Sequence, residues 1–109
     1  MIKVEAVVVP DRVEIVIDAV EDEAAHVGVT AVETIGYGRQ RDVPQALLTF
    51  RVPENKAEKV VSAICEAARS GHESGDGLVW ASPVSHVRHN RTGQPLHEYV
   101  EPGYVRSGV

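Results

Sequence analysis

Four apolar runs alternate with two one-faced helical segments along this chain, and most of them have a clear stop signal. Pro10, Pro53 and Pro83 follow the first, third and fourth apolar runs, where a missing N–H donor interrupts regular pairing. The order of elements is β-α-β-β-α-β, and both helices must then pack on one face of a four-stranded antiparallel sheet. The sequence therefore predicts an α+β, ferredoxin-like fold.

The predicted element boundaries follow from periodicity and capping signals. Helix one is expected to start at Asp11 as N-cap and to end at Gly28. Helix two is expected to start at Asn55, with Glu58 completing a capping box, and to close at Gly71. The predicted strands are residues 2–9, 29–35, 46–52 and 78–82.

Each predicted helix carries one apolar stripe at i, i+3, i+4 and i+7 spacing, which we expect to face the sheet. In helix one the stripe is Val13, Val16, Ile17, Val20 and Ala24. In helix two it is Ala57, Val60, Val61, Ile64 and Ala68.

Length and composition agree with one globular unit. The 109 residues fit a single domain, and 43% hydrophobic with 25% charged residues is ordinary for such a domain. Periodicity is lost from Gly93 onward. We therefore expect a folded domain over residues 1–93 and an irregular C-terminal tail over 94–109.

Charge and cysteine content exclude several classes of protein. Sixteen acidic against eleven basic residues give a net charge of −5, so no nucleic-acid partner is expected. The single cysteine, Cys65, rules out a disulfide framework, and its place beside the helix-two stripe predicts a small buried side chain. With no transmembrane-length apolar run and no signal-peptide pattern at the start, we expect a cytoplasmic protein.

No catalytic constellation is visible, so no catalytic residue is assigned and an enzyme is not expected. Ser70 lies near His72 and Ser85 beside His86, but adjacency in sequence does not make a triad. His86 and His89 are three residues apart in an expected loop, with no carboxylate at a recognisable spacing, so no metal site is assigned.

Three loops carry glycine, two of them with arginine. They lie at residues 36–39, 71–77 and 91–93. Glycine lets backbone N–H groups approach an anion or a flat ring closely, and arginine adds a fixed positive charge. The loops together indicate an anionic ligand such as a nucleotide.

The same residues resemble the PII signalling proteins. Residues 28–40 match the family's spacing into the Gly-Tyr-Gly-Arg-Gln segment, and residues 67–71 with 75–77 resemble the end of its second helix and its B-loop. Residues 83–84 and 91–93 look like the end of its fourth strand and its C-loop. The resemblance covers residues 1 to about 93.

This resemblance implies a homotrimer with an adenine nucleotide as an effector ligand, no tightly bound cofactor, and a site in each cleft between subunits. Arg91 would reach across from the neighbouring subunit. The residues that the family's pattern assigns to nucleotide binding are Gly28, Val29, Thr30, Gly36, Tyr37, Gly38, Arg39, Gln40, Ser70, Gly71, Gly75, Asp76, Gly77, His89 and Arg91.

The chain also departs from the family's pattern. Only residues 41–45 separate Gln40 from the predicted third strand, so the long T-loop and its modifiable tyrosine are absent. Leu78 stands where a lysine is expected, His89 where the first C-loop arginine is expected, and Thr49 where an acid is expected. These changes predict weaker binding of a triphosphate with Mg²⁺ and argue against 2-oxoglutarate sensing and against plugging an ammonium channel.

The leading hypothesis is a trimeric PII-like regulator that binds ADP, AMP or cyclic AMP in preference to Mg-ATP. It would signal to a partner protein such as a transporter or a metabolic enzyme. The alternative is a trimer that has lost nucleotide binding and acts as an interaction scaffold or responds to a small ion, either bicarbonate or a metal.

Overall fold

The computed structural model describes residues 1–25, 27–37, 43–71 and 75–96. Short 3-10 turns at Pro10–Arg12 and Glu54–Lys56 precede the two helices. The strands are β1 (Ile2–Val8), β2 (Val29–Gly36), β3 (Val43–Val52) and β4 (Leu78–Pro83), and the helices are α1 (Val13–Glu23) and α2 (Ala57–Ala67).

The four strands form one antiparallel sheet in the order β2-β3-β1-β4. β1 and β3 are central, and β2 and β4 are the two edges. The predicted ferredoxin-like α+β fold is confirmed, and so is the central position expected for the first strand.

The core lies between the two helices and one face of the central strands. Both predicted helix stripes face it: Val16, Val20 and Ile64 are almost fully buried, while Val13 and Ile17 pack at its margin. No polar or charged side chain is buried among the described residues. The side chains that the sheet contributes to the core are Val4, Ala6, Val8, Ala46, Leu48, Phe50 and Val52.

The capping predictions for the helix starts are wrong. Asp11 and Asn55 lie inside 3-10 turns. The backbone N–H groups of Arg12 and Lys56 close these turns, each donating to the carbonyl three residues earlier. The N-cap positions of α1 and α2 are therefore Arg12 and Lys56, and neither makes a side-chain capping hydrogen bond. The capping box with Glu58 does not form at Asn55, because the chain is already turning before the α-helix begins.

The helix ends also differ from expectation. α1 stops at Glu23 because Ala24 adopts an extended backbone, so Gly28 lies beyond the helix. α2 stops at Ala67, and Gly71, with a φ of +76°, bends the chain only after the helix has ended.

Two further expectations are corrected. Cys65 is exposed, because it follows Ile64 by one residue and a helical turn of about 100° takes its side chain off the buried stripe. β3 begins at Val43, which pairs with Gly36, and not at Ala46. Pro44 is tolerated there because β1 accompanies β3 only as far as Ala46, which leaves one side of β3 without a neighbour.

Beyond β4 the chain folds back on itself as far as Leu96. The amide of Leu96 donates to the carbonyl of Val87 at 2.8 Å, and Arg88 bridges to Pro95. Of the tail predicted over residues 94–109, residues 94–96 belong to this folded-back segment, and 97–109 lie outside the described residues. Within the described part of the chain, no helix is both long and apolar enough to cross a membrane.

Phe50 tests the core directly, because it is the largest fully buried side chain among the described residues and belongs to the core cluster. Phe50→Ala should lower the free energy of unfolding by about 3–5 kcal/mol. Ile15→Ala, at a helix position that is 44% exposed, should change it by less than about 0.5 kcal/mol. Urea denaturation followed by circular dichroism measures both, and equal losses would contradict this description of the core.

Candidate functional site

One carboxylate joins the beginning and the end of the connection between α2 and β4. The backbone N–H and the hydroxyl of Ser70 both donate to Oδ1 of Asp76, at 2.8 and 2.6 Å. These bonds join two residues that are six positions apart, and Gly71 and Gly75 lie between them in the chain. No sequence pattern predicts this pairing, because a serine and an aspartate six residues apart have no regular relation.

Gly77 ends this loop at a point where no side chain fits. Its φ is +86°, and a Cβ added there would lie 1.7 Å from the carbonyl oxygen of Val7 in β1. Gly75 has a similar φ of +93° but open space around it. The loop therefore enters β4 pressed against the backbone of the central strand.

The β2 edge holds a second group of predicted residues. Gly28 precedes the strand, and Val29 and Thr30 begin it, all three exposed. Gly36 and Tyr37 lie at the other end of β2, where Tyr37 is exposed. Gly38, Arg39 and Gln40 are outside the described residues, so their predicted roles stay predictions.

The turn after β4 holds the third group. The amide of Gly93 donates to the carbonyl of His89 at 2.8 Å, and that of His89 donates to Gln94 at 2.9 Å. Arg91 is therefore at the tip of a tight turn and is exposed, while His89 is half-buried at its base. Together with Arg88 this turn is a local cationic surface on a chain whose net charge is −5.

One protomer does not bring these groups together. β2 and β4 are opposite edges of the sheet, so three strand spacings, or about 14 Å, separate Val29–Thr30 from the edge where the 70–77 loop begins β4. The 70–77 loop lies at the end of the sheet near Val7, whereas the turn holding Arg91 follows Pro83 at the other end, near Ile2. On one protomer the three groups therefore lie at three separate parts of the sheet.

The sheet face that the helices leave uncovered, here called the open face, carries an apolar row across all four strands. Register places four side chains side by side: Val32, Leu47, Val7 and Leu78. The two ends of the row, Val32 and Leu78, are 52% and 74% exposed. An apolar row of this width on a lone protomer marks a surface that another chain can cover.

The next row on the open face is polar. The indole Nε1 of Trp80 donates to Oε1 of Glu5 at 3.0 Å, and the hydroxyl of Thr49 donates to Oε2 at 3.4 Å. Nζ of Lys3 lies 3.4 Å from Oε1 of the same carboxylate. Thr49 therefore belongs to the hydrogen-bond network around Glu5. It supplies a hydroxyl donor at the β3 position where the family's pattern leads one to expect an acid.

The described residues hold no group of three or more His, Cys, Asp or Glu side chains that could bind a metal ion. The hydroxyl of Ser70, the serine near His72, donates a hydrogen bond to Asp76. His72 itself lies outside the described residues. Ser85 and His86 are exposed after β4.

Comparison with known proteins now decides the family. A family model described as Nitrogen regulatory protein P-II matches residues 1–94. The chain belongs to the P-II family. The P-II protein of Nostoc punctiforme is 34% identical over 114 aligned positions, which cover 92% of this chain and all of that protein.

Two further matches support the same assignment. The nifHD-region GlnB-like protein 1 of Methanobacterium ivanovii is 31% identical over 99 residues, covering 82% of this chain and 92% of that protein. The crystal structure of Arabidopsis thaliana PII bound to citrate has a TM-score of 0.75 at 35% identity and covers 86% of each chain. The P-II family is one of regulatory signalling proteins, so the expected resemblance is confirmed.

This P-II protein has a short connection between β2 and β3. Gly36 pairs with Val43, so only six residues join the two strands. Leu78, at the position where the family's pattern calls for lysine, ends the apolar row on the open face.

Gly77 and Gly75 form a matched pair of test sites in this P-II protein. Both Gly→Ala changes place a side chain at positive φ, which costs about 1–2 kcal/mol. Gly77→Ala adds a collision with the Val7 carbonyl, so it should lower the free energy of unfolding by at least about 1 kcal/mol more than Gly75→Ala. Chemical denaturation of the two variants checks this, and equal stability would show that the close approach at Gly77 is absent.

Proposed function

We propose that this P-II protein is a homotrimeric regulator that binds an adenine nucleotide with few phosphates between neighbouring subunits. It responds to that effector by signalling to a partner protein, and it acts in the cytoplasm. The observation that carries the proposal is the placement of the glycine loop and the exposed β2 strand on opposite edges of one sheet. A neighbouring copy can bring its own edge to the first copy's loop and so complete the site.

The exposed apolar side chains of the open face support this arrangement. The apolar row and the neighbouring indole of Trp80 expose a continuous apolar surface on a lone protomer. Covering such surface is favourable by about 25 cal/mol per Å². A trimer in which the three open faces meet would hide this row and bring β2 and β4 edges of different copies close together.

The preference for few phosphates follows from the cations that remain. The Arg91 turn supplies fixed positive charge, whereas Leu78 offers no charge next to the glycine loop and is 74% exposed. Each additional phosphate would need further positive charge or backbone N–H donors. ADP, AMP and cyclic AMP therefore match this site better than Mg-ATP.

A second candidate function is favoured by the same leucine. Because Leu78 extends the apolar row, this position serves packing more directly than anion binding. A trimer without a nucleotide site could act as an interaction scaffold or respond to bicarbonate or a metal ion. The Arabidopsis relative was solved with citrate, so a carboxylate effector belongs in the same test.

Ligand-dependent thermal stability separates the two candidates. The purified protein should be melted with ATP and Mg²⁺, ADP, AMP, cyclic AMP, citrate or bicarbonate. A ligand present at about 100 times its Kd stabilises the folded state by about 2.7 kcal/mol, a shift of several degrees. We expect ADP, AMP or cyclic AMP to give the largest shift, and a panel in which only bicarbonate or citrate shifts the melt would favour the second candidate.

Arg91→Ala should weaken binding of the nucleotide that gives the largest shift by about tenfold or more, because a charge-assisted hydrogen bond is worth about 1.5–3 kcal/mol. Lys59→Ala removes one positive charge from the exposed surface of α2 and is the matched control. Isothermal titration calorimetry measures both affinities. Equal affinity in the Arg91 variant and the control would remove Arg91 from the site.

Val32→Glu tests the proposed interface. The side chain is 52% exposed in the protomer, so the fold should survive, but a carboxylate in the apolar row should dissociate the trimer to a species of 11.8 kDa. Ile15→Glu, at a position 44% exposed on α1, should remain three times that mass. Sedimentation equilibrium gives the masses, and the fluorescence of the single tryptophan, Trp80, should shift to the red only in the Val32 variant. A monomeric unmodified chain would refute the trimer.

A further inference from the structure

The C-terminus of α2 is completed by an arginine from a distant part of the chain. Ala67 is the last residue of α2, and its carbonyl is one of those that a helix end leaves without an intrahelical partner. Nε and Nη2 of Arg12 both donate to this oxygen, at 2.9 and 2.8 Å. The last turn of α2 contains no basic residue, so Arg12 brings the positive charge that favours a helix C-terminus.

The candidate nucleotide loop starts directly after this contact. Ser70, which is bonded to Asp76, lies three residues beyond Ala67. At its far end the loop meets β1, where Gly77 lies against the Val7 carbonyl. Arg12 belongs to the turn that follows β1, so both ends of the loop are set against the same stretch of chain, from the end of β1 to the start of α1.

We propose that Arg12 is a positioning residue for the nucleotide site: it fixes the origin of the 70–77 loop through the Ala67 carbonyl. This inference rests on the proposed function for the identity of the ligand and on the two hydrogen bonds for the position of the loop. Arg12 acts through α2, because Nε and Nη2 of its guanidinium both donate to the backbone carbonyl of Ala67. Losing them frees the last turn of α2 and the first residues of the loop together.

The test compares Arg12→Met, which keeps the apolar stem and removes every donor, with Arg12→Lys, which keeps the charge and can offer one donor to Ala67. Lys59→Met, on the exposed surface of α2, is the control for loss of a positive charge. Amide hydrogen exchange read by NMR reports loop order without any ligand. The reporters are Ser70, whose amide donates to Asp76, and Ala68, whose amide donates to Ile64.

In Arg12→Met we expect exchange at Ala68 and Ser70 to accelerate about tenfold more than exchange in the β1–β3 pairing, and ADP affinity to fall about tenfold. Arg12→Lys should lie between the unmodified protein and Arg12→Met in both measurements, and Lys59→Met should match the unmodified protein. If Arg12→Met does not fold, the comparison of Arg12→Lys with Lys59→Met gives the same two readouts.

Unchanged relative exchange at Ala68 and Ser70 would overturn the inference. A loss of ADP affinity with unchanged exchange would also overturn it, because Arg12 would then contact the ligand itself. If the unmodified protein binds no nucleotide, the proposed function fails, and the exchange measurements alone decide whether Arg12 holds the loop.

Discussion

The burial of β1 between β3, β4 and the two helices is the constraint on which the rest of this structure depends. Val4, Ala6 and Val8 leave water almost completely, and their register with β3 sets the position of every other strand. The same strand provides the backbone against which Gly77 lies, and the turn that follows it carries Arg12. Core and candidate site are therefore built on one segment, so an error in the register of β1 would displace both.

The sequence predicts the elements well because each depends on local periodicity. Alternation and 3.6-residue spacing identify all four strands, both helices and the buried stripes, and Ile64 is buried where its spacing requires. The predicted boundaries of these elements are wrong where two local conformational preferences compete. Asp11 has the side chain of an N-cap, but the Val9–Pro10 segment starts a 3-10 turn first, and Val43 joins β3 because Gly36 pairs with it.

The candidate site could be predicted only as a set of segments. The family resemblance assigns residues to nucleotide binding, but periodicity does not reveal that Asp76 closes the loop onto Ser70 or that Arg12 reaches Ala67 across 55 residues. These contacts depend on the tertiary placement of two elements that are far apart in sequence. In the proposed trimer, segments from opposite sheet edges meet between copies, and periodicity within one chain cannot predict such a contact.

The polar row around Glu5 has a consequence for how copies of this chain could recognise one another. An open face that was apolar throughout could pack against another apolar surface in many relative orientations. Glu5 carries its own donors, Trp80 and Thr49 of the same protomer, so a neighbour that preserves these bonds can cover it without supplying a partner. In the proposed trimer, a rotated or slipped contact that separates the carboxylate from both donors and from Lys3 would leave a buried charge uncompensated, which costs several kcal/mol. In the proposed trimer, a single acidic side chain would thus discriminate the correct orientation from incorrect ones, while the apolar row beside it would supply the affinity.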